Sequence, residues 1–285
     1  MSSKNKQYEE HLWSQYSKYL DNEELEREKM NWNKEIENIE NWTKEYLEKS
    51  ECKGYVLGVS GGIDSSVCLS ILKRSVLVEN IKAVALPCNS NKDSLIDAQK
   101  LADNLRIKLE VINLENSFNT IIENLKSINN NEISPLVKGN IAARLRMVQL
   151  YSIANQNNML VIGTCNKSEL MISYGTKFGD LSSDIEIIGE WYKTQIYEMT
   201  DFMPEVPSSI INKKPSADLW KNQSDESEIG FNYPTLDKIL QRWEVDSGKY
   251  TDYNDGITEE DFNKVSSMIR NSKHKRKMPP ICPKL

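Results

Sequence analysis

The densest chemistry in the chain lies in eight residues, Val59-Ser60-Gly61-Gly62-Ile63-Asp64-Ser65-Ser66, which follow the apolar run "YVLG" and open an apolar-faced helical pattern. A connection from strand to helix needs about one glycine and a cap. Two adjacent glycines let the backbone turn tightly with its N–H groups outward and no Cβ in the way. Those amides, the serine hydroxyls and the helix N-terminus together make a cradle for an anion of phosphate size. Neighbouring fingerprints fail. A Walker loop needs Gly and Lys where Ile63 and Asp64 stand, and Gly58, Gly61 and Gly62 do not satisfy GxGxxG. A carboxylate inside such a cradle repels phosphate unless a divalent cation lies between them, so Asp64 is a candidate Mg2+ ligand. Taken singly, Ser60 or Asp64 reads as a helix cap; the whole hexapeptide from Ser60 to Ser65 reads as a phosphate loop.

The elements that would position this loop alternate in type. "YVLGV", "IKAVALP", "LEVINL" and "MLVIGT" read as strands, separated by helical patterns carrying Ile63, Val67, Ile71 and Leu72, then Leu95, Ala98, Leu101 and Leu105, then Phe118, Ile121, Ile122 and Leu125. "GNIAARLRMVQLYSIANQNN" is a further helix. The alternation predicts an α/β fold: an open, doubly wound, mostly parallel sheet with helices on both faces. Ligands of such sheets lie at the carboxyl ends of the strands, where both "VSGGIDSS" and "GTCNKSE" fall. Residues 1–50 form a predicted helical N-terminal extension, with Leu12, Trp13, Tyr16, Leu20, Leu25, Trp32, Ile36, Ile39 and Trp42 near helical spacing, ahead of a domain over 51–285. That extension either covers the domain or binds another subunit. Past Ile188 the strand signal fades. "KTQIYEMTDFM", "YPTLDKILQRWE" and "TEEDFNKVSSMIRN" are helical, and "NKKPSADLWKNQSDESEIGF" is too polar and turn-rich for core and reads as a binding loop.

The 285 residues carry 27% charged and 39% hydrophobic side chains and a net charge of −6, which gives no footing for a general nucleic-acid binder. No apolar run approaches membrane-spanning length, and "MSSKNKQYEEHLW" lacks the apolar core of a signal peptide, so a cytoplasmic chain is expected. Five scattered cysteines without CxxC spacing, beside only two histidines, suit reduced thiols better than structural zinc.

The SGGxDS loop resembles that of the ATP-pyrophosphatase superfamily, whose members adenylate a substrate oxygen and then displace AMP with a nitrogen or sulfur nucleophile. "GNIAARLRM", "VIGTCNKSE", "GTKFGD", "YKTQIYE", "KPSADLW", "QSDESEIGFNYPTLD" and "HKRKMPP" follow in that order, and together with the loop they resemble NAD synthetase from about Gly54 to the C-terminus. The resemblance implies ATP-dependent amidation of deamido-NAD, with AMP and pyrophosphate released and Mg2+ required. It implies ATP contacts at Gly58, Val59, Ser60, Gly61, Gly62, Ile63, Asp64, Ser65, Thr164, Lys193 and Ser216, and metal ligation by Asp64 and Glu169. Asp64, Glu169 and Lys193 would be catalytic. Deamido-NAD would be met by Arg144, Lys177, Asp184, His274 and Lys275, the last two on a mobile cationic segment closing over the substrate. Arg146 is the less favoured choice for that role, and from spacing alone either arginine reads equally well as a solvated helix-face residue; Asp180 or Asp184 could serve as base for ammonium. The resemblance also implies a homodimer with the substrate site at the interface. About 50 polar residues precede the loop, against roughly 100–150 for a typical domain, and Cys52 among them has no glutaminase motif around it. Ammonia is the expected direct donor, unless a separate glutaminase subunit delivers it.

Overall fold

The structure, a computed structural model, describes residues 30–89, 91–128, 131–216 and 223–284. The predicted helical positions at Leu12, Trp13, Tyr16, Leu20 and Leu25 lie outside these residues. The elements run α1 (Trp32–Ser50), β1 (Tyr55–Gly58), α2 (Ile63–Ser75), β2 (Ile81–Ala85), α3 (Lys92–Leu105), β3 (Leu109–Val111), α4 (Glu115–Ile128), α5 (Pro135–Asn157) and β4 (Leu160–Gly163). They continue with α6 (Lys167–Ile172), β5 (Ile185–Glu186), α7 (Lys193–Thr200), α8 (Ser208–Ile211), α9 (Asp225–Ile229), α10 (Tyr233–Val245), α11 (Glu259–Asn271) and a closing 3-10 turn, Lys273–Lys275.

Five strands form one parallel sheet in the order β3-β2-β1-β4-β5. Tyr55 pairs with Ile81 on one side and Leu160 on the other, which makes β1 the centre. Tyr55, Val56 and Leu57 are fully buried, because helices cover both faces and a strand buried on both faces reads as a continuous apolar run. Alternate side chains divide the core. Tyr55 and Leu57 pack with α1, α2, α3 and α7 through residues such as Ile36, Val67, Leu101 and Ile196. Val56, Val84 and Val161 pack with α4 and α5 through Phe118, Ile122, Ala142 and Ala154. The chain leaves β1 towards β2 and β3, then crosses back to place β4 on the other side of β1. This reversal opens a crevice at the carboxyl ends of β1 and β4, the usual ligand position in such sheets.

Two features differ from the sequence reading. β5 was not anticipated, since two residues are too short to show periodicity. The polar stretch before Tyr233 is partly core: α9 buries Asp225 and Ile229, and it joins a third apolar cluster built by α6, α10 and α11 around Tyr233, Leu236, Ile239 and Phe262. Over residues 32–50 the N-terminal helix covers the domain. Trp32, Ile36, Ile39 and Leu47 belong to the main core, the Tyr55 hydroxyl donates to the Thr43 carbonyl at 2.7 Å, and the Trp32 indole donates to Glu198 of α7 at 3.1 Å.

Because Ile36 is 3% exposed, Ile36→Ala is expected to lower stability by about 2–5 kcal/mol, within the single cooperative transition of the domain. Urea unfolding followed by circular dichroism and tryptophan fluorescence checks this. An early, separate melting of α1 with the main transition unmoved would contradict it.

Candidate functional site

The phosphate loop departs from the end of β1 as Val59 donates to the Val84 carbonyl at 2.8 Å, extending the strand pairing by one residue. Gly61 then takes φ +75°, the left-handed region, and a Cβ there would stand 2.1 Å from the Ser94 carbonyl oxygen. Both facts demand glycine. Gly62 occupies the N-cap of α2, with no side chain capping the helix. The serines instead brace the loop itself. Ser65 Oγ accepts from the Ser60 amide at 3.2 Å and donates to the Gly62 carbonyl at 3.1 Å, while Ser60 Oγ accepts from the Gly62 amide at 3.2 Å. The helix thus begins with its positive end turned to the crevice and no capping oxygen in front of it, which favours an anion there. The reading of Ser60 or Asp64 as the cap of α2 does not hold.

Across the crevice, α6 and α7 supply the opposing wall. Asn166 caps α6 in a reciprocal box with Glu169: its side chain accepts from the Glu169 amide, and Glu169 accepts from the Asn166 amide. The same Asn166 donates through Nδ2 to Asp64 at 3.0 Å, tying the β4–α6 turn to the phosphate loop. Lys193, the first residue of α7, is 2% exposed. Its ammonium pairs with Asp64, stands 3.8 Å from Glu169 and lies 5.3 Å from the ring centroid of Tyr233. Burial works against the charge on Lys193, but Asp64 and Glu169 outweigh it and hold the ammonium protonated well above its usual range. Burial, and then the neighbouring Asp64, push the Glu169 carboxyl well up despite Lys193.

Asp64 and Glu169 therefore share one ammonium, that of Lys193. Among the described residues no group of three His, Cys, Asp or Glu side chains is arranged to enclose a metal. A pair of carboxylates facing a phosphate cradle fits Mg2+, which is usually held by one or two protein carboxylates with substrate phosphates and water completing its shell.

These elements enclose a cavity of about 560 Å³. Gly58, Val59, Ser60, Gly61, Gly62, Ile63, Asp64, Ser65, Thr164, Glu169, Lys193 and Ser216 all line it. Among the described residues no helix is long and apolar enough to cross a membrane. The NAD synthase family model matches residues 35–279. The chain belongs to that family. An NH(3)-dependent NAD(+) synthetase of Syntrophomonas wolfei is 39% identical over 242 residues, covering 84% of this chain and 92% of the relative. Among solved structures, an NMN synthetase of Francisella tularensis matches with a TM-score of 0.79 and 31% identity over 90% of this chain and all of that one. An NH3-dependent NAD synthetase of Campylobacter jejuni, in complex with nitrate, matches with a TM-score of 0.74 and 30% identity, over 89% and 100%.

The remaining residues that the NAD synthetase resemblance singled out do not line the cavity. Arg144 lies on the exposed side of α5, its Nε donating to the Lys177 carbonyl at 3.3 Å; the Lys177 ammonium rests 5.1 Å from the Phe178 ring centroid. It is Arg146 that lines the cavity, its Nε donating to the Leu86 carbonyl at 3.1 Å. Asp184 accepts from the Val161 amide at 2.7 Å and from the Tyr151 hydroxyl at 3.2 Å, so its carboxylate completes the edge of β4. Of the two candidate bases, Asp180 lines the cavity. His274 is exposed. Lys275 donates to the Ser173 and Gly175 carbonyls at 3.0 and 2.7 Å, and Arg276 donates to the Met171 and Ile269 carbonyls at 2.6 and 2.7 Å. In this structure the basic run is anchored to the end of α6.

Several lining residues were not singled out in the sequence. Lys213 bonds the Gly61 carbonyl at 3.2 Å and pairs with buried Asp97 at 2.7 Å, steadying the glycine turn. Asp225 accepts from the Tyr174 and Tyr233 hydroxyls at 3.1 and 3.2 Å. Asn166, behind the lining, had a readable signal in its capping-box spacing to Glu169. Behind the floor, Glu186 at the end of β5 accepts from the Cys165 amide at 3.1 Å and from Ser183 at 2.8 Å. Burial raises its carboxyl to about 7, with those two bonds opposing.

Gly61→Ala is expected to abolish ATP-dependent turnover and lower the melting temperature, because the added methyl must displace the backbone of α3; kinetics and calorimetry on one preparation check both. Glu186 generates a pH prediction. Between about 4.5, the ordinary carboxyl value, and about 7 the native group keeps its proton while the unfolded one has lost it. Its contribution to stability is thus full at the acid end and lost as pH rises through that window. Melting curves of the protein and Glu186→Gln should show the wild type losing ground to the variant across it, and parallel curves would refute this assignment.

Proposed function

We propose that this chain makes NAD from deamido-NAD, with ATP as co-substrate and ammonia as nitrogen donor. The observation that carries this reading is the uncapped N-terminus of α2 facing the Asp64, Glu169 and Lys193 cluster across one cavity. Such a site suits a triphosphate. Outward amides and a helix end receive phosphate oxygens, and Lys193 balances charge on the group that leaves. The nicotinate carboxylate attacks the α-phosphorus, an O–P bond forms, and the bond to the β-phosphate oxygen breaks with its electrons leaving on pyrophosphate. Ammonia then attacks the acyl carbon, AMP departs with the C–O bonding pair, and the nitrogen gives up a proton. Asp64 and Glu169 would hold Mg2+, whose charge offsets that of the leaving pyrophosphate when it is bound. Most of the remaining catalysis is positioning of the reactants.

Arg144 and Lys177 are the cations for the anionic dinucleotide, and their distance from the cavity fits a site completed by a second copy. Arg144 shares its exposed face of α5 with Val137 and Val148, which are 42% and 54% exposed, and Phe178 beside Lys177 is 52% exposed. This apolar rim around a guanidinium supports a homodimer with substrate at the interface. The reaction belongs in the cytoplasm, a setting supported by the reduced, buried thiols of Cys68 and Cys165.

The NMN synthetase relative makes the mononucleotide the competing acceptor. Purified protein with ATP, Mg2+ and ammonium should convert deamido-NAD to equimolar NAD, AMP and pyrophosphate, and Asp64→Asn should reduce turnover by about 10²–10³ or more. Faster turnover of nicotinate mononucleotide, turnover with glutamine alone, or ATP binding without products would overturn the substrate, the donor or the enzymatic reading respectively.

A further inference from the structure

Lys193 and Glu169 sit on two different short helices, and neither helix by itself fixes their separation. α10 does. Asp237, 1% exposed, lies on that helix and meets both helices at once. One carboxylate oxygen accepts from the Thr194 amide in the first turn of α7 at 2.9 Å. The other accepts from the hydroxyl of Ser168, the residue before Glu169 in α6. Ser168 Oγ in turn accepts from the Lys193 amide at 2.9 Å. Ser168 is fully buried.

We propose that Asp237 is a positioning residue for the reaction: through Ser168 and the first two amides of α7 it sets Lys193 and Glu169 at their working distance. The physical argument concerns the start of α7. Its first amides have no intrahelical partners, and a carboxylate there is favoured by the helix dipole. Both oxygens of Asp237 take a donor, and those bonds oppose the rise to about 6 that burial imposes on its carboxyl. A buried carboxylate that merely held helices together could be replaced by apolar packing with little loss. This one instead takes up the amide beside Lys193 and the hydroxyl beside Glu169. Farther along the same helix Glu244 accepts from the Tyr192 hydroxyl and pairs with Lys167 at 2.9 Å, so α10 also grips the residue before α7 and the first residue of α6.

The inference rests on the reading of Lys193 as part of the phosphate machinery, and the experiment separates the two. Asp237→Asn keeps the size but leaves one acceptor oxygen for two donors, so its NH2 faces either the Ser168 hydroxyl or the Thr194 amide. Steady-state kinetics should show kcat reduced about 10- to 100-fold, with KM for deamido-NAD within about twofold, because Arg144 and Lys177 lie on other elements. Ser168→Ala removes the same link from the other side and should show the same split. The double variant should lose little more than either single one, since both act through one path. If Asp237→Asn does not fold, Ser168→Ala decides alone. A kcat within twofold of wild type, a KM effect as large as the kcat effect, or losses that multiply in the double variant would overturn the proposal. Lys193→Met is assayed in parallel. Full activity there would sink the reading of the site itself, whereas an inactive Lys193→Met beside a normal Asp237→Asn would sink this inference alone.

Discussion

One buried ammonium between two carboxylates organises the molecule. Asp64 comes from the first turn of the helix after β1, Glu169 from that of the helix after β4, and Lys193 from that of the helix after β5. Each lies at the carboxyl end of a different parallel strand, so the three meet only if the sheet has the order it has. The reversal of strand order at β1, which places β4 on its other side, is what brings the first two face to face. Two carboxylates in a partly closed crevice repel each other, and removing water from them costs several kcal/mol in general. Lys193 makes that arrangement tolerable, and its own burial is tolerable because both acids face it. The site therefore carries a cation of its own among the acids before any ligand arrives, and a preset arrangement of charge spares reorganisation during reaction.

The outer layers make sense as supports for this unit. α1 and the cluster around Ile196 and Met199 hold α7 from one side through apolar contact, and α10 and α11 hold α6 from the other. Neither layer touches the cavity through its apolar residues. Their polar exceptions do the aligning: Asn166 ties Asp64 to α6, Lys213 ties the glycine turn to α3, and Asp237 ties α6 to α7. Buried polar groups are costly unless paired, and here the paired ones are concentrated where the geometry of charge matters.

Much of this was legible in the sequence, for identifiable reasons. The four longer strands announced themselves as apolar runs, and the glycine turn by residue types that a plain connection does not need. Asp64, Glu169 and Lys193 came from ordered motifs, and the fold brings all three together. β5 was illegible because two residues carry no period. The burial of Asp225 was illegible because its partners, the hydroxyls of Tyr174 and Tyr233, lie far from it in sequence or across a turn. Asp237 was hidden for the same reason. It sits in an amphipathic pattern where an acid reads as a solvent-facing position, and only the tertiary structure reveals two donors waiting for it. Long-range compensation of a buried charge leaves no local trace.

The residues that the resemblance singled out divide by chemistry as well as by place. Those that would handle phosphate converge within one subunit, because they stand at neighbouring strand ends or in the first turns of the helices that follow. Those that would handle the dinucleotide, Arg144 and Lys177, stand on the outer side of α5 and on the loop after α6, next to exposed Val148 and Phe178. A guanidinium set among exposed apolar side chains gains little from water-filled surroundings and much from a second surface that excludes water around it. The same second surface would bury the apolar rim. If both gains have one cause, binding of the dinucleotide and pairing of two copies are linked equilibria, and each strengthens the other by the same free energy. The phosphate half of the site would then be a property of the chain, and the dinucleotide half a property of the pair.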